Sequence, residues 1–223
     1  MKNIAIIPAR GGSKRLPNKN ILLLGGIPLI AHSILEAKKF PNIIDEIYVS
    51  TDDLKIKEIA LSYGAKVVDR PIELSGDFEP TVTALKHVLE ELSSNVQTVF
   101  LLQPTNPFRP LNLISEAYSV FLEKGVESLM TVTRNHQKFG RVINNAFIPF
   151  NYKIGERSQD LEPLYFENGL LYIISSNLIL QSKIMGTKPF PMIVDHLFAS
   201  VDIDTQDDFD FAKYVFQKSK IKI

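Results

Sequence analysis

The chain has 223 residues, 45% of them hydrophobic and 22% charged, enough to bury a sizeable core and ordinary for a soluble globular protein. Its formal net charge is zero, which disfavours general nucleic-acid binding, where a basic excess is the rule. It contains no cysteine, which excludes disulfides, a thiol nucleophile and Cys-ligated metal, and fits a reducing compartment. The most apolar stretch, Ile21 to Ala31, is too short to span a bilayer and contains Gly25, Gly26 and Pro28. The N-terminus enters a strand directly, without a charged leader and long apolar core. A cytoplasmic protein with one domain over 1–223, and with no membrane or nucleic-acid partner, is expected.

In chain order, Ile4 to Ile7 is an uncharged apolar run led by β-branched residues and ended by Pro8, the pattern of a buried strand. Arg10, Lys14, Arg15 and Lys19 follow, spaced by Gly11, Gly12, Ser13 and Pro17. Glycines let a backbone approach a ligand closely. Free backbone N–H groups beside cations form an anion nest. The loop therefore suits a polyanion, phosphates above all, although it matches neither the P-loop nor the dinucleotide fingerprint. A solvated basic loop is the plain alternative.

Pro28 opens a helix to about Lys39. Glu46 to Ser50 reads as a second strand ending in Thr51, Asp52 and Asp53. A polar cluster at a strand's carboxyl end is where open α/β sheets hold ligands, but Thr51 and Asp53 read better as caps of the next helix, 53–63. Lys66 to Asp69 is a third strand. It leads to Arg70, Pro71, Leu74 and Ser75, where Arg70 either reaches a nucleotide or faces solvent. A helix runs from Pro80 to about Leu92, with His87 an ordinary helix residue. Val96 to Leu102 is a fourth strand, leaving through Gln103, Pro104, Thr105, Asn106, Pro107, Phe108 and Arg109. Two prolines fix that exit, and Gln103 offers both a donor and an acceptor.

A helix from Pro110 to about Glu123 and a strand from Ser128 to Val132 come next. The α/β alternation then breaks over 134–166, where Arg141–Ile143 and Phe147–Pro149 flank Asn144-Asn145, a hairpin signal. Glu167, Asn168 and Gly169 read as a polar turn before a strand, Leu170 to Ile174. A short helix near Ser176 to Gln181 and a longer loop follow. Asp202 and Asp204 alternate along an extended segment, so both carboxylates can face one side and suit Mg²⁺, a hard cation. Thr205 with Asp208 forms a box-like helix cap, which accounts for those two residues but not for Asp202 and Asp204. The regular alternation of strands and helices predicts a three-layer α/β/α fold with a mainly parallel sheet.

The order of residues in several segments resembles the acylneuraminate cytidylyltransferase family over roughly residues 1 to 215. These are I-I-P-A-R-G-G-S-K-R-L-P-N-K-N, the R-P pair leading to L-S, L-Q-P-T-N-P-F-R, R-S-Q-D-L, E-N-G and D-I-D-T. The resemblance implies the nucleotide-diphospho-sugar-transferase version of the fold. It places CTP at Arg10, Gly11, Gly12, Ser13, Lys14, Lys19, Asn20, Arg70 and Ser75. It places the sugar acid at Gln103, Thr105, Lys138, Arg157, Gln159 and Asn168, with Arg109 holding a loop. Arg157 would grip the substrate carboxylate bidentately, while Lys138 reads equally as a solvated surface lysine. Asp202 and Asp204 would hold Mg²⁺. Residues 134–166 would form a β-rich dimerisation arm, making the protein a homodimer.

The implied reaction joins CMP from CTP to the anomeric hydroxyl of a nine-carbon 2-keto sugar acid and releases pyrophosphate. Arg10, Lys14, Lys19, Asp202 and Asp204 form the catalytic set. No histidine lies in any motif, which fits metal-assisted activation better than a histidine base. The octulosonate enzymes have Q-G-D-E-P where this chain has Q-P-T-N-P, and the pseudaminate type has A-G-Q-F-Y-W in place of E-N-G. Both comparisons favour the acylneuraminate branch. The alternatives are a cytidylyltransferase for pseudaminate or octulosonate, or a non-catalytic nucleotide-binding relative.

Overall fold

A computed structural model of the chain describes residues 1–92, 95–196 and 198–219. Its centre is a seven-stranded sheet. Four strands on one side are parallel: β1 (Lys2–Pro8), the later strands β4 (Glu46–Thr51) and β5 (Lys66–Asp69), and β6 (Val96–Leu101). Two short strands, β2 (Leu23–Leu24) and β3 (Ile27–Pro28), form a separate hairpin beneath the basic loop. On the other side of the sheet lie β7 (Ser128–Asn135), β10 (Leu164–Ser175) and β11 (Phe190–Ile193), and a separate hairpin, β8 (Gly140–Ile143) with β9 (Ala146–Pro149), projects between β7 and β10 in sequence. The sheet order is β11-β7-β10-β6-β1-β4-β5, with β10 alone antiparallel to its neighbours.

The unbroken apolar run of β1 has a direct cause, since both faces of this central strand are covered. Ala5 and Ile7 join one core with Ile30 and Ile34 of α1 (Leu29–Lys38), Ile56 and Ala60 of α2 (Leu54–Ser62), and Ile114 and Ala117 of α4 (Leu113–Lys124). Ile4 and Ile6 point the opposite way, to Leu85 and Val88 of α3 (Thr81–Glu91) and Leu178 and Ile179 of α5 (Ser176–Leu180). These are the three expected layers. A third cluster lies under the basic loop, where Leu16, Leu24 and Leu29 meet Val201, Ile203 and Phe209, Phe209 belonging to the last helix, α6 (Gln206–Ser219). Among the described residues no helix is long and apolar enough to cross a membrane.

Several expectations need adjustment. Glu167-Asn168-Gly169 is not a turn but a bulge inside β10, because the β7 pairing continues on both sides with a shifted register between Glu167 and Tyr172. Strand β7 runs on to Asn135, and Leu164 to Phe166 already pair with Asn135 to Thr133, so both ends of the 134–166 segment belong to the main sheet. The helix expected from Pro110 begins at Leu113. The strand β11 had no distinct signal, because Pro191 interrupts its pattern; the proline is tolerated at the sheet's edge.

Candidate active site

The chain passes from β1 to β4 and β5 on one side, then returns to β6 on the other side of β1. The β1/β6 gap is thus a topological switch point, and ligands of open α/β sheets bind outside the strand carboxyl ends there. A cavity of about 550 Å³ occupies this position, lined by residues that follow β1 (Arg10, Ser13, Lys14, Lys19), β5 (Arg70) and β6 (Gln103, Thr105), together with Asp202 and Asp204.

The basic loop is held in shape at this mouth by hydrogen bonds from its own residues. The buried Asn20 donates from Nδ2 to the Arg10 carbonyl at 3.0 Å, clamping the loop's two ends together. The Gly11 N–H donates to Asp52 Oδ1 at 2.9 Å, and a β-carbon at Gly11 would stand 2.7 Å from that of Asp53. Only glycine permits that approach to the start of α2. Asp53 caps that helix by accepting from the Lys55 and Ile56 N–H groups at 2.8 and 3.0 Å, and the Thr51 hydroxyl accepts from the Asp53 N–H, so capping is the role of both. Gly11 and Gly12 shape the loop without lining the main cavity.

Arg70 lines the cavity but is largely committed, with Nε donating to Ser50 Oγ at 3.0 Å and a terminal nitrogen to the Ser50 carbonyl at 2.7 Å. Burial lowers its guanidinium pKa; Asp52 opposes this and Arg10 adds to it. The Ser75 hydroxyl donates to the Pro71 carbonyl and its own carbonyl accepts from Arg10 at 3.4 Å, so Ser75 supports Arg10 from just outside the cavity lining.

The acidic wall is brought in by long-range hydrogen bonds. The Thr105 carbonyl accepts from the Ile203 N–H at 2.9 Å. Asn106, fully buried, donates from Nδ2 to the Val201 and Asn168 carbonyls at 3.2 and 3.1 Å. This residue staples the Asp202 segment to the β6 exit and to the β10 bulge. Asp208 caps the start of α6 by accepting from Thr205 N–H and Oγ at 2.8 Å each, leaving Asp202 and Asp204 free of that task. Burial raises the Asp202 carboxyl, the Asp204 and Asp208 charges add to this, and Thr105 and Lys19 oppose it. At Asp204 burial pushes upward, but Lys19 and Arg15 outweigh it and hold the carboxyl below its ordinary value. The distances are 2.8 Å to Lys19 and 2.6 Å to Arg15.

Arg109 is buried and donates to the Leu170 and Gln103 carbonyls and to Ser33 Oγ at 2.7, 2.8 and 3.1 Å. It holds the Gln103 loop, as expected. Burial lowers its pKa to about 10. Four expected sugar-acid residues are not brought to the cavity lining. Asn168 is buried in the β10 bulge, its amide bonded to Thr131, Thr133 and the Leu170 N–H. Lys138 bonds the Glu156 carbonyl and lies over the Tyr152 ring. Arg157 makes a two-point pair with Asp160, at 2.7 and 3.1 Å, and Gln159 is exposed beside it. The last three sit on the segment between β9 and β10 or just before β8, and one copy of the chain does not fold that segment over the mouth.

Arg15 and Asp77, which pair with site residues across the cavity, were not among the expected site residues. Arg15 lies within the first motif but carried no assigned role. Asp77, which pairs with Arg10 at 2.8 Å and Lys14 at 2.5 Å, comes from a segment with no local pattern to single it out.

The sequence profile described as Cytidylyltransferase matches residues 4–221. Pseudaminic acid cytidylyltransferase of Campylobacter jejuni is 37% identical over 226 residues, covering 97% of each chain. CMP-N,N'-diacetyllegionaminic acid synthase of Legionella pneumophila is 36% identical and covers 94% of each. N-acylneuraminate cytidylyltransferase of Streptococcus agalactiae is 36% identical over 94% of this chain, which spans 52% of that protein's length. Among solved structures, a CMP:2-keto-3-deoxy-manno-octonic acid synthetase complexed with CTP superposes with a TM-score of 0.72 at 16% identity, over 98% of this chain and all of that one (100%). That likeness establishes the nucleotidyltransferase fold. With a profile matched almost end to end and relatives above one-third identity over nearly their whole length, the chain belongs to the cytidylyltransferase family.

Proposed function

We propose that this cytidylyltransferase transfers CMP from CTP to the anomeric hydroxyl of a nine-carbon 2-keto sugar acid and releases pyrophosphate. The supporting observation is one cavity lined by Arg10, Lys14 and Lys19, by Asp202 and Asp204, and by Gln103 and Thr105. The names of the Campylobacter, Legionella and Streptococcus relatives all point to acids of this kind. The hydroxyl oxygen attacks the α-phosphorus as the bond to the bridging oxygen of the β-phosphate breaks in line. Arg10, Lys14 and Lys19 meet the charge that develops on the leaving pyrophosphate.

The acidic wall fits Mg²⁺. Both carboxylates face one cavity and the donors are all oxygen. Among the described residues no three acidic or histidine side chains converge as a complete metal site. Mg²⁺ commonly completes its shell with substrate phosphate oxygens and water. Asp202 and Asp204 would hold it, and when bound it supplies charge neutralisation and a more acidic hydroxyl. Lys138, Arg157 and Gln159 reach a sugar acid when 134–166 serves as an arm laid over the site of a second copy, which makes a homodimer the working state.

Within that class, pseudaminate is the acid named for the Campylobacter relative at 37% identity and a legionaminate the one named for the Legionella relative at 36%. Pyrophosphate release from CTP and Mg²⁺ is the test, with N-acetylneuraminate, a legionaminate, pseudaminate and the eight-carbon octulosonate offered separately. Release with a nine-carbon acid supports the proposal and names the acid. Release with the octulosonate alone overturns it, and silence with all four rules out these acids.

A further inference from the structure

The cations that a triphosphate needs are already occupied in the structure. Asp204 takes Lys19 and Arg15. Asp77 takes Arg10 and Lys14, at 2.8 and 2.5 Å. Asp204 has a part in the proposed chemistry, whereas Asp77 has none. It lies on the segment 75–79, between the single turn Ile72–Leu74 and α3, and lines the cavity with Gly76 and Glu79. Short-range bonds shape the segment, Ser75 Oγ to the Pro71 carbonyl at 3.1 Å and the Glu79 N–H to the Gly76 carbonyl at 3.3 Å. Its tip residue, Phe78, is 100% exposed and so is not packed onto the body of the protein. Across the cavity the segment is tied by Asp77 and by the Arg10 bond to the Ser75 carbonyl at 3.4 Å.

We propose that Asp77 is an internal stand-in for phosphate: it latches the 75–79 segment onto Arg10 and Lys14 and must release both when a polyphosphate enters. The inference rests on the reading of this cavity as the triphosphate site. A carboxylate offers one negative charge to two cations, and a polyphosphate brings several to the same place, so the exchange runs toward the ligand. The latched state is nevertheless a competitor. Apparent affinity is reduced by the fraction of molecules in which the two cations are free. Nucleotide capture and release of the segment are then a single equilibrium, linked through Arg10 and Lys14.

Calorimetric binding of inorganic tripolyphosphate to the full chain, without metal, separates the possibilities. Asp77→Asn should tighten binding about three- to tenfold, the scale of two partly exposed ion pairs removed from the empty state. Glu73→Gln makes the same change of net charge on the neighbouring turn and should change affinity less than about twofold. The chain has no tryptophan, so Phe78→Trp places a single indole beside Asp77. Its fluorescence anisotropy should fall on saturation with tripolyphosphate, and should already be low in the ligand-free Asp77→Asn background. Wild-type protein that binds no tripolyphosphate would overturn the reading of the cavity itself. Binding by wild type that Asp77→Asn leaves equal or weaker, an equal gain in Glu73→Gln, or an anisotropy that ligand does not move would each overturn the latch alone.

Discussion

Asp204 is the residue on which the two halves of the site meet. Its carboxylate holds Lys19 and Arg15 in the cavity and is also one of the two oxygen sources for the proposed metal. Asp204→Ala should therefore lower turnover by at least about a hundredfold, the scale of a lost electrostatic catalyst. It should leave metal-free CTP binding in place, because the two freed cations still face the phosphates. Steady-state rates beside calorimetry check the split, and wild-type turnover would sink the metal assignment. His32 gives a prediction of another kind. Its ring is buried against Phe216, Nε2–H donates to the Leu24 carbonyl at 3.0 Å, and burial pushes its pKa from 6.5 down to about 4. The unfolded chain then binds this proton more readily than the folded one, so the stabilisation is complete above pH 6.5 and is lost as pH falls toward 4. Urea unfolding should show a loss of about 2 to 3 kcal/mol across that window, and His32→Gln should flatten it.

At the level of elements, the β10 bulge decides where the acidic wall stands. Gly169 has φ +72°, and a β-carbon there would lie 2.6 Å from Asn106 Oδ1, the residue whose amide staples Val201 and Asn168. Gly169→Ala combines backbone strain with displacement of a buried hydrogen-bonding side chain. It should cost about 2 to 4 kcal/mol in unfolding free energy and lower turnover through the Asp202 segment. Ser200→Ala, at an exposed position next to that segment, serves as a comparison in the same assay. The arm hairpin shows the opposite case. Asn144 and Asn145 both have positive φ, 49° and 62°, and they form the turn that the sequence signalled. Asn145→Gly suits that backbone better and should stabilise the hairpin by a few tenths to about 1 kcal/mol. Slower amide exchange over β8 and β9 would register it.

For the whole molecule, the outstanding feature is the unpartnered apolar surface of that arm. Val142, Phe147, Phe150 and Ile154 are exposed by 75, 54, 64 and 85%. A hairpin of two strands is marginal by itself, and large apolar side chains exposed together on one arm are a candidate interaction surface. With a second copy as its proposed cover, light scattering of the wild type should give about twice the 25.2 kDa chain mass. Val142→Glu with Phe147→Glu should give a single chain mass and a raised KM for the sugar acid, since Lys138 and Arg157 would lose their route to a cavity. A monomeric wild type with full activity would remove the arm from the site.

The sequence by itself determined the layered α/β frame, the buried character of β1, the basic loop, the caps at Asp53 and Asp208 and the family. Each is written in consecutive residues, as an apolar period, a run of charge of one sign or a short ordered motif. The tertiary structure alone decided which side chains share the cavity. Asp77 reaches Arg10, and Arg15 reaches Asp204, only because strands distant in sequence end at the same edge of the sheet. Asn168 turned inward for the same reason: pairing with β7 made E-N-G a bulge, and burial obliged its amide to bond Thr131 and Thr133. Local patterns report what a segment can form, while the partners of a polar group are set by what packing brings within about 3 Å of it.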